Sequence, residues 1–207
     1  MENLQTITIL GSVLSQAVGW SWPVFLAGCW GHSRAVFRRT RWATPAVPEE
    51  EARYAQRFSL AAAMYLRLSE RLGREPALAV MRKILLPIGA ATSQRFLDSL
   101  DLSRVSGIER FMAFKTRMQD TVEDRFNVRE YVTVDATTCH YVITRCLAYD
   151  FFSEAGTPEL TRLICEADNV FFPAAFPDLT FSRGDSWENT IAYGQDHCEY
   201  VLTKKAY

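Results

Sequence analysis

The chain has 207 residues, 48% hydrophobic positions and a formal net charge of −1. A chain of this length buries roughly 70% of its unfolded surface, enough for one compact domain, which argues against a disordered protein. The near-zero charge argues against a histone-like nucleic-acid binder. The five cysteines are few and odd in number, which argues against a disulfide scaffold.

Charge is unevenly distributed along the chain. Residues 1–48 have a net charge of +3, residues 49–146 of +2 and residues 147–207 of −6. Four of the five cysteines lie between Cys139 and Cys198, at the edge of or within the acidic C-terminal part. This acidic, cysteine-bearing part is therefore the feature that most needs a functional explanation.

The N-terminal segment carries no Asp, Glu, Lys or Arg from Asn3 to Ser33. About 20 apolar residues can span a bilayer, but polar residues, a proline and four glycines dilute this run. Its apolar residues keep helical spacing, which favours a helix packed on a core or a partner over a membrane anchor. Met1-Glu2-Asn3 lacks the basic start of a secretory signal. We expect a cytoplasmic protein, with membrane contact through residues 4–30 left open but not favoured.

Basic residues and prolines follow this apolar segment. Four arginines lie between Arg34 and Arg41, and without a wider basic surface they favour a solvated face, so we expect no nucleic-acid partner. Thr44-Pro45-Ala46-Val47-Pro48 is typical of an extended linker, because each proline fixes its own φ and restricts the preceding residue. The predicted division is an apolar N-terminal arm, residues 1–45, and a single α+β domain, residues 46–207.

Two helices are predicted after the linker. The first runs over residues 49–72, with three glutamates at the positive end of its dipole and Gly73 as its C-terminal cap. The second begins near Glu75-Pro76, where proline is tolerated in the first turn. Pro87 with Gly89 should kink or break this second helix.

A third helix and a group of strands complete the predicted fold. The helix starts near Ser106 and has a stripe at helical spacing that consists of Ile108, Phe111, Met112, Lys115, Met118 and Val122. Further helices are expected at Leu147–Ala155 and after Thr157-Pro158-Glu159. Strands are expected at Tyr131–Val134, His140–Thr144, Leu179–Ser182, Asn189–Tyr193 and Glu199–Thr203. The predicted fold class is α+β, with a helical N-terminal half followed by a small antiparallel sheet with inserted helices.

Common catalytic and metal motifs are absent from the sequence. It has no glycine-rich phosphate loop, no Gly-x-Ser-x-Gly elbow and no Cys-x-x-Cys pair. Cys139-His140 and His197-Cys198 contain residue types that bind zinc. Neighbouring residues of a strand point to opposite faces, so each pair can offer only one ligand to a given face, and a site with four ligands would need a bulge. We therefore expect no metal and no cofactor.

Three cysteines are candidate site residues. Cys146 follows Arg145 at the end of a predicted strand, and Cys198 begins the last one. Cys165 and Asp168 are three residues apart on a predicted helix and so share a face. A free cysteine taken alone is more often a small core residue than a catalyst.

A family resemblance raises the interest of this set. The motifs that carry it are Thr144-Arg145-Cys146, Phe151-Phe152, Gly156-Thr157-Pro158-Glu159-Leu160, Cys165-Glu166-Ala167-Asp168, Phe181-Ser182-Arg183, Thr190-Ile191-Ala192 and Cys198-Glu199-Tyr200. With them the chain resembles the L-2-amino-thiazoline-4-carboxylic acid hydrolase family over roughly residues 50–203. Glu199 and Tyr200 depart conservatively from the family's usual Cys-Asp-Phe. The stretch from Gly184 to Asn189 is longer than the family's usual spacing.

The resemblance implies a hydrolase-like enzyme that opens a small carboxylate-bearing thiazoline or cyclic amidine ring by C–S or C–N hydrolysis. Cys198 or Cys165 would be the nucleophile, because a thiolate is effective where nearby charge lowers its pKa. Asp168 would act as general base or orient a protonated ring nitrogen.

Substrate binding is implied for four further residues. Arg145 or Arg183 would clamp the carboxylate in a bidentate fork, with Cys146 and Glu199 beside them. The expected partner is a small-molecule substrate, and the sequence is also compatible with an oligomer.

Three other functions stay open. One is a cyclase or isomerase of natural-product biosynthesis on the same fold, since fold does not fix function. The second is a metal-binding protein that uses Cys146, Cys165, Asp168 and Cys198 as ligands. The third is a non-catalytic partner subunit.

Overall fold

The computed structural model of the chain describes residues 2–121 and 123–206. Met1, Tyr207 and Val122, the last residue of the third predicted helical stripe, lie outside the described residues. Helices dominate the N-terminal half, and a four-stranded antiparallel sheet follows, with helices inserted between its strands. The α+β prediction is confirmed.

The helices of the described residues are α1 (Glu2–Val18), α2 (Trp22–Arg38), α3 (Glu49–Gln56), α4 (Ser59–Leu72), α5 (Arg74–Asp98), α6 (Gly107–Thr121), α7 (Leu147–Glu154) and α8 (Leu160–Ala175). The strands are β1 (Val128–Val134), β2 (Thr138–Arg145), β3 (Leu179–Ser182) and β4 (Cys198–Lys204). Short 3-10 turns lie between several of these elements, including Gly19–Ser21 and Ile191–Tyr193.

Three local predictions are wrong. The first predicted helix is two helices, α3 and α4, separated by a turn at Arg57 and Phe58. Helix α5 continues through Pro87 to Asp98, so the predicted break is wrong, while the predicted kink stays a prediction. Asn189–Tyr193 forms a turn in place of a strand, since this run is too short for its apolar residues to distinguish the two.

The chain divides into two compact units. The first unit contains the residues up to Gly89 together with Phe151–Ile164. The second contains Ala90–Asp150 together with the residues from Cys165 onward. The described residues of the predicted arm thus belong to the same unit as α3 and α4, and the boundary after residue 45 stays a prediction.

Packing of α2 on α4 organises the first unit. The α2 residues Phe25, Cys29 and Val36 are buried, and the Arg71 guanidinium lies 5.1 Å from the Phe25 ring centroid. A second apolar layer is an aromatic cluster formed by Phe37, Trp42, Phe58, Phe151 and Phe152. Burial of this apolar area stabilises the unit by the hydrophobic effect.

One helical run of the described residues, Thr6–Arg38, is long and apolar enough to cross a membrane by length and composition. It covers α1 from Thr6 onward, the 3-10 turn and α2. Core helices and signal sequences can satisfy the same criterion.

The sheet of the second unit has strand order β1-β2-β4-β3, with every neighbouring pair antiparallel. Side chains alternate between its faces, so residues that pair across strands share a face. Tyr141 pairs with Tyr200, and Ile143 with Cys198, on the buried face. That face packs on aromatic residues of α6 and α8. The core therefore lies between the sheet and these two helices, and Cys198 of β4 faces into it.

Candidate active site

A buried ion pair links the end of β3 to α8. The Arg183 guanidinium donates to Asp168 Oδ2 at 3.0 Å and to the Tyr200 hydroxyl at 3.3 Å. The Tyr200 hydroxyl in turn donates to Asp168 Oδ2 at 2.9 Å. Helix α8 supplies the carboxylate and β4 the phenol, so the triad forms only when the sheet packs on the helix.

Aromatic rings enclose the Arg183 side chain, which is 0% exposed. Its guanidinium carbon lies 4.2 Å from the Tyr200 ring centroid and 4.9 Å from that of Trp187. Asn189 fixes the backbone by donating from Nδ2 to the Arg183 carbonyl at 2.9 Å. Burial alone would lower the pKa of Arg183, but Tyr200 and Asp168 hold it above its usual value. Arg183 is therefore a permanent buried cation that positions Asp168 and Tyr200.

Asp168 is the more accessible member of the ion pair, with 28% of its side chain exposed. Burial raises the pKa of this carboxyl, while Arg183, Lys115 and the Tyr200 hydroxyl act in the opposite direction. A carboxyl whose pKa is raised above its ordinary value is better suited to accept a proton near neutral pH. Asp168 is therefore a partly exposed carboxyl with a raised pKa, held by Arg183 and Tyr200.

Two of the three candidate cysteines, Cys165 and Cys198, lie within electrostatic range of this ion pair. Cys165 lies one turn before Asp168 on α8, and burial raises its pKa while the Arg183 charge acts against that rise. Cys146 and Cys198 are also within electrostatic range of the Cys165 thiol. The structure thus brings together Cys146, Cys165, Cys198, Asp168 and Arg183.

Burial keeps these thiols protonated at neutral pH. It raises the pKa of Cys146 to about 12, although backbone N–H groups of Tyr149 and Ala148 oppose the rise. Burial also raises the pKa of Cys198, which is opposed by the Ile191 N–H, 3.3 Å from Sγ, and by Arg183. Cys198 combines a backbone donor with a nearby cation, so it is the best placed of the three to become a thiolate once a base removes its proton.

Two predicted residues lie apart from this cluster. Arg145, at the end of β2, pairs with Asp150 at 3.1 Å and keeps 39% of its side chain exposed. Glu199 points to the other face of the sheet, where Oε1 lies 3.0 Å from His140 Nε2. Only the Glu199 carbonyl reaches Arg183, at 3.4 Å.

A second buried polar group was not predicted. Lys115 of α6 lies with its Nζ 3.2 Å from Asp124 Oδ2, and Arg129 of β1 also pairs with this carboxylate. Burial would raise the pKa of Asp124, but the two cations lower it to about 2. Burial lowers the pKa of Lys115. The sequence contains one signal for this group, because Lys115 is the one charged residue in the otherwise apolar stripe of the third predicted helix.

A pair of stacked tyrosines connects the two polar groups. The Tyr141 and Tyr200 ring centroids are 4.7 Å apart with an interplanar angle of 11°. The Arg129 guanidinium lies 5.0 Å from the Tyr141 ring, and Lys115 Nζ lies 5.8 Å from it. The Tyr141 hydroxyl is buried and has no hydrogen-bond partner among the described residues. The site is therefore one continuous buried polar layer in an otherwise apolar core.

The donor set does not form a metal site. Within residues 2–121 and 123–206, no group of three or more His, Cys, Asp or Glu side chains is arranged to hold a metal ion. The hypothesis of a protein whose ligands are Cys146, Cys165, Asp168 and Cys198 therefore finds no support in the geometry. Two pockets of the second unit, of about 490 and 380 Å³, are lined partly by Asp178 and by none of the cluster residues.

Solved structures with a detectable match are remote. An Fe(II) unliganded H-NOX protein from K. algicida is 10% identical, with 98% of this chain and 96% of that chain covered and a TM-score of 0.39. A point mutant of the same protein is also 10% identical, with coverages of 97% and 95% and a TM-score of 0.37. Similarity at this level carries no argument about fold or function. No curated protein matches the chain.

A family model matches most of the sequence. This family model is that of L-2-amino-thiazoline-4-carboxylic acid hydrolase, and it matches residues 51–202 of the chain. The matched range contains Arg145, Cys146, Cys165, Asp168, Arg183, Cys198 and Glu199. It leaves α1 and α2 outside. The chain belongs to the L-2-amino-thiazoline-4-carboxylic acid hydrolase family.

Proposed function

We propose that the chain hydrolyses a small carboxylate-bearing heterocycle of the thiazoline or cyclic amidine type, at the Cys/Asp site of the second unit. The observation that carries this proposal is the cluster of Cys165, Asp168, Arg183 and Cys198 in a chain whose family is named for that reaction. Ring opening needs a nucleophile at the carbon between nitrogen and sulfur and an acid for the leaving group. Both kinds of group are present in the cluster.

Cys198 acts as the nucleophile in this proposal, with Cys165 as the alternative. Asp168 takes the thiol proton, and the sulfur attacks the ring carbon and forms a C–S bond to the enzyme. The ring C–S bond then breaks, and the departing sulfur takes the proton from Asp168. A water molecule adds to the same carbon, and the bond to Cys198 breaks, which restores the thiol. The net change is the addition of one water molecule.

Arg183 and Arg145 have different roles in this proposal. The buried Arg183 charge stabilises the thiolate as it forms and holds Asp168 in place. The more exposed Arg145 is available to pair with the substrate carboxylate, in exchange for Asp150. Cys146 is the nearest candidate to line the substrate, and Glu199 acts only through the opposite face of the sheet.

We further propose that the protein acts in the cytoplasm on a freely diffusing substrate. The packing of α2 on α4 supports a folded protein, not a spanning anchor, at the N-terminal end. Fractionation of cells with and without detergent tests this location.

The experiment that tests the reaction is incubation of the purified full chain with 2-amino-thiazoline-4-carboxylate. Hydrolysis yields a product one water molecule heavier, detected by mass spectrometry, together with a free thiol that reacts with a colorimetric thiol reagent. A product of unchanged mass would replace the hydrolase with an isomerase. Cys29→Ala is the matched control, since Cys29 is a buried cysteine of the first unit.

A further inference from the structure

Helix α2 has an exposed apolar stripe, which is continued at its start by Trp20. Trp20 is 93% exposed, Val24 77% and Trp30 60%, although large apolar side chains normally bury most of their surface. Ala27 and Gly31 are exposed between them, and residues spaced by three or four positions share a helix face. Trp30 on α2 and Trp20 in the 3-10 turn before it are therefore both largely exposed.

The same stripe becomes basic at its C-terminal end. Arg34 and Arg38 continue the helical spacing and are exposed, and Arg39 follows them. No acidic residue lies between Asn3 and Arg41, so nothing in this stretch of sequence neutralises the arginines locally. An apolar strip with tryptophans and an arginine end is the composition of helices that lie in a membrane interface.

The opposite side of α2 is already occupied by protein. Phe25, Cys29 and Val36 are buried, and a Cβ built on Gly28 would lie 2.7 Å from the Arg67 guanidinium of α4. A helix that spans a bilayer on its own would offer its whole circumference to lipid. Here only one face is free, and the turn at Gly19 separates α2 from α1.

We propose that this exposed face of α2, the α2 stripe (Trp20, Val24, Ala27, Trp30, Gly31, Arg34 and Arg38), binds the surface of an anionic lipid bilayer. Its tryptophans and Val24 enter the boundary between headgroups and acyl chains, while the arginines pair with lipid phosphates. Binding is peripheral and reversible, because the face is short and the other side of the helix stays packed on α4. The sequence pattern alone did not favour membrane contact, and the exposure of the two tryptophans changes that interpretation. The proposal does not depend on the hydrolase reaction, and α2 lies outside the matched family region.

The charge of the bilayer is the first test. The purified full chain is sedimented with vesicles of phosphatidylcholine alone and with vesicles that also contain phosphatidylserine. We expect binding to the anionic vesicles, a blue shift of tryptophan fluorescence and loss of binding at high salt. Absence of binding to anionic vesicles, or equal binding to both, would overturn the proposal.

Variants of the stripe are the second test. Trp20→Ser with Trp30→Ser should weaken vesicle binding by roughly tenfold or more, because the apolar area that enters the bilayer is lost. Val132→Ser with Val170→Ser removes two exposed apolar residues of the second unit and should leave binding unchanged. Equal binding by the two double variants would contradict the assignment to this face. Circular dichroism of each variant confirms that it is folded.

The arginines are tested separately. Arg34→Gln with Arg38→Gln should weaken binding to anionic vesicles by roughly fivefold for each arginine removed. Lys83→Gln with Arg104→Gln removes two exposed cations elsewhere and is the matched control. A dimer in lipid-free solution that Trp30→Ser dissociates would show that a second copy, not a bilayer, covers the stripe, and would overturn the proposal.

Discussion

Asp168 is the proposed general base of the site, and opposing influences act on its pKa. Burial favours its neutral form, while the Arg183 ion pair and the Tyr200 hydroxyl favour the carboxylate. As the proposed base, Asp168 accepts a proton more readily the further its pKa is raised. The buried thiols need such a base, because their own pKa values are raised.

The hydrogen bond from Tyr200 gives a prediction about pH. Tyr200→Phe keeps the stack on Tyr141 but removes the donor that stabilises the Asp168 carboxylate, so the pKa of Asp168 should rise further. The acidic limb of the kcat/KM profile should then move to higher pH, by up to about one unit. Tyr131→Phe, on the other side of Tyr141, is the control. An acidic limb that does not move in Tyr200→Phe would mean that Asp168 is not the base.

Asp124 gives a prediction about stability. Asp124→Asn leaves Lys115 and Arg129 buried without their shared carboxylate, which should lower the free energy of unfolding by about 3 kcal/mol or more at neutral pH. Urea unfolding measures this loss. Asp120→Asn is the matched control, because Asp120 is exposed near the end of α6.

The same carboxyl makes stability depend on pH. Its pKa is about 2 in the folded protein and 3.8 in the unfolded chain, so its contribution is complete above the unfolded value. The unfolded state binds the proton first as the pH falls, so about 2 kcal/mol of stability should disappear between about pH 5 and pH 1. The Asp124→Asn variant should lack this part of the acid dependence. A wild-type acid dependence that the variant retains in full would contradict the assignment.

At the scale of elements, spacing on α8 was enough to place two site residues. Cys165 and Asp168 share a face of that helix, and the structure confirms that both lie within range of Arg183. Alternation along β4 likewise separates Glu199 from the buried face of Cys198. The hydrogen-bonded group of Asp168, Arg183 and Tyr200 could not be derived from spacing within one element, because it depends on the register between β3 and β4.

The turn after β3 carries a prediction for the loop that holds Arg183. Gly184 has a φ of +71°, and a Cβ there would lie 2.5 Å from Glu199 Oε2 and 3.3 Å from Asn189 Nδ2. Gly184→Ala should therefore lower the free energy of unfolding by about 2 kcal/mol, from left-handed strain plus displaced side chains. Gly156→Ala is the control, since Gly156 has a φ of +74° and no atom within 4 Å, and it should lose about 1 kcal/mol. If urea unfolding gives the same loss of free energy of unfolding for both variants, the close approach to Glu199 does not contribute to the destabilisation.

At the scale of the whole molecule, sequence periodicity and composition predicted the α+β class, most of the helices and all four strands of the described residues, with ends that differ by up to three residues. They did not predict the second buried polar group, in which Lys115 and Arg129 pair with Asp124. Lys115 and Arg129 come from the middle of the chain, and only tertiary packing places them behind Tyr141.

The N-terminal helices show a second property that the sequence could not predict, which is the exposure of individual side chains. Helical spacing indicated a helix packed on protein, and α2 does pack on α4. Hydropathy alone could not reveal that Trp20 and Trp30 stay exposed, because exposure depends on which face α4 covers. The two units therefore carry separate proposals, a hydrolytic site in the second and a lipid-binding face in the first.

We propose that Cys198 and Asp168 perform the chemistry in this member of the family. The measurement that tests it most directly is turnover of 2-amino-thiazoline-4-carboxylate by Cys198→Ala and Asp168→Asn, beside wild type and Cys29→Ala, with circular dichroism to confirm folding. We expect wild type and Cys29→Ala to release a free thiol at similar rates, and the two site variants to lose turnover by roughly a hundredfold or more. Folded Cys198→Ala and Asp168→Asn proteins with near-wild-type rates would contradict the assignment.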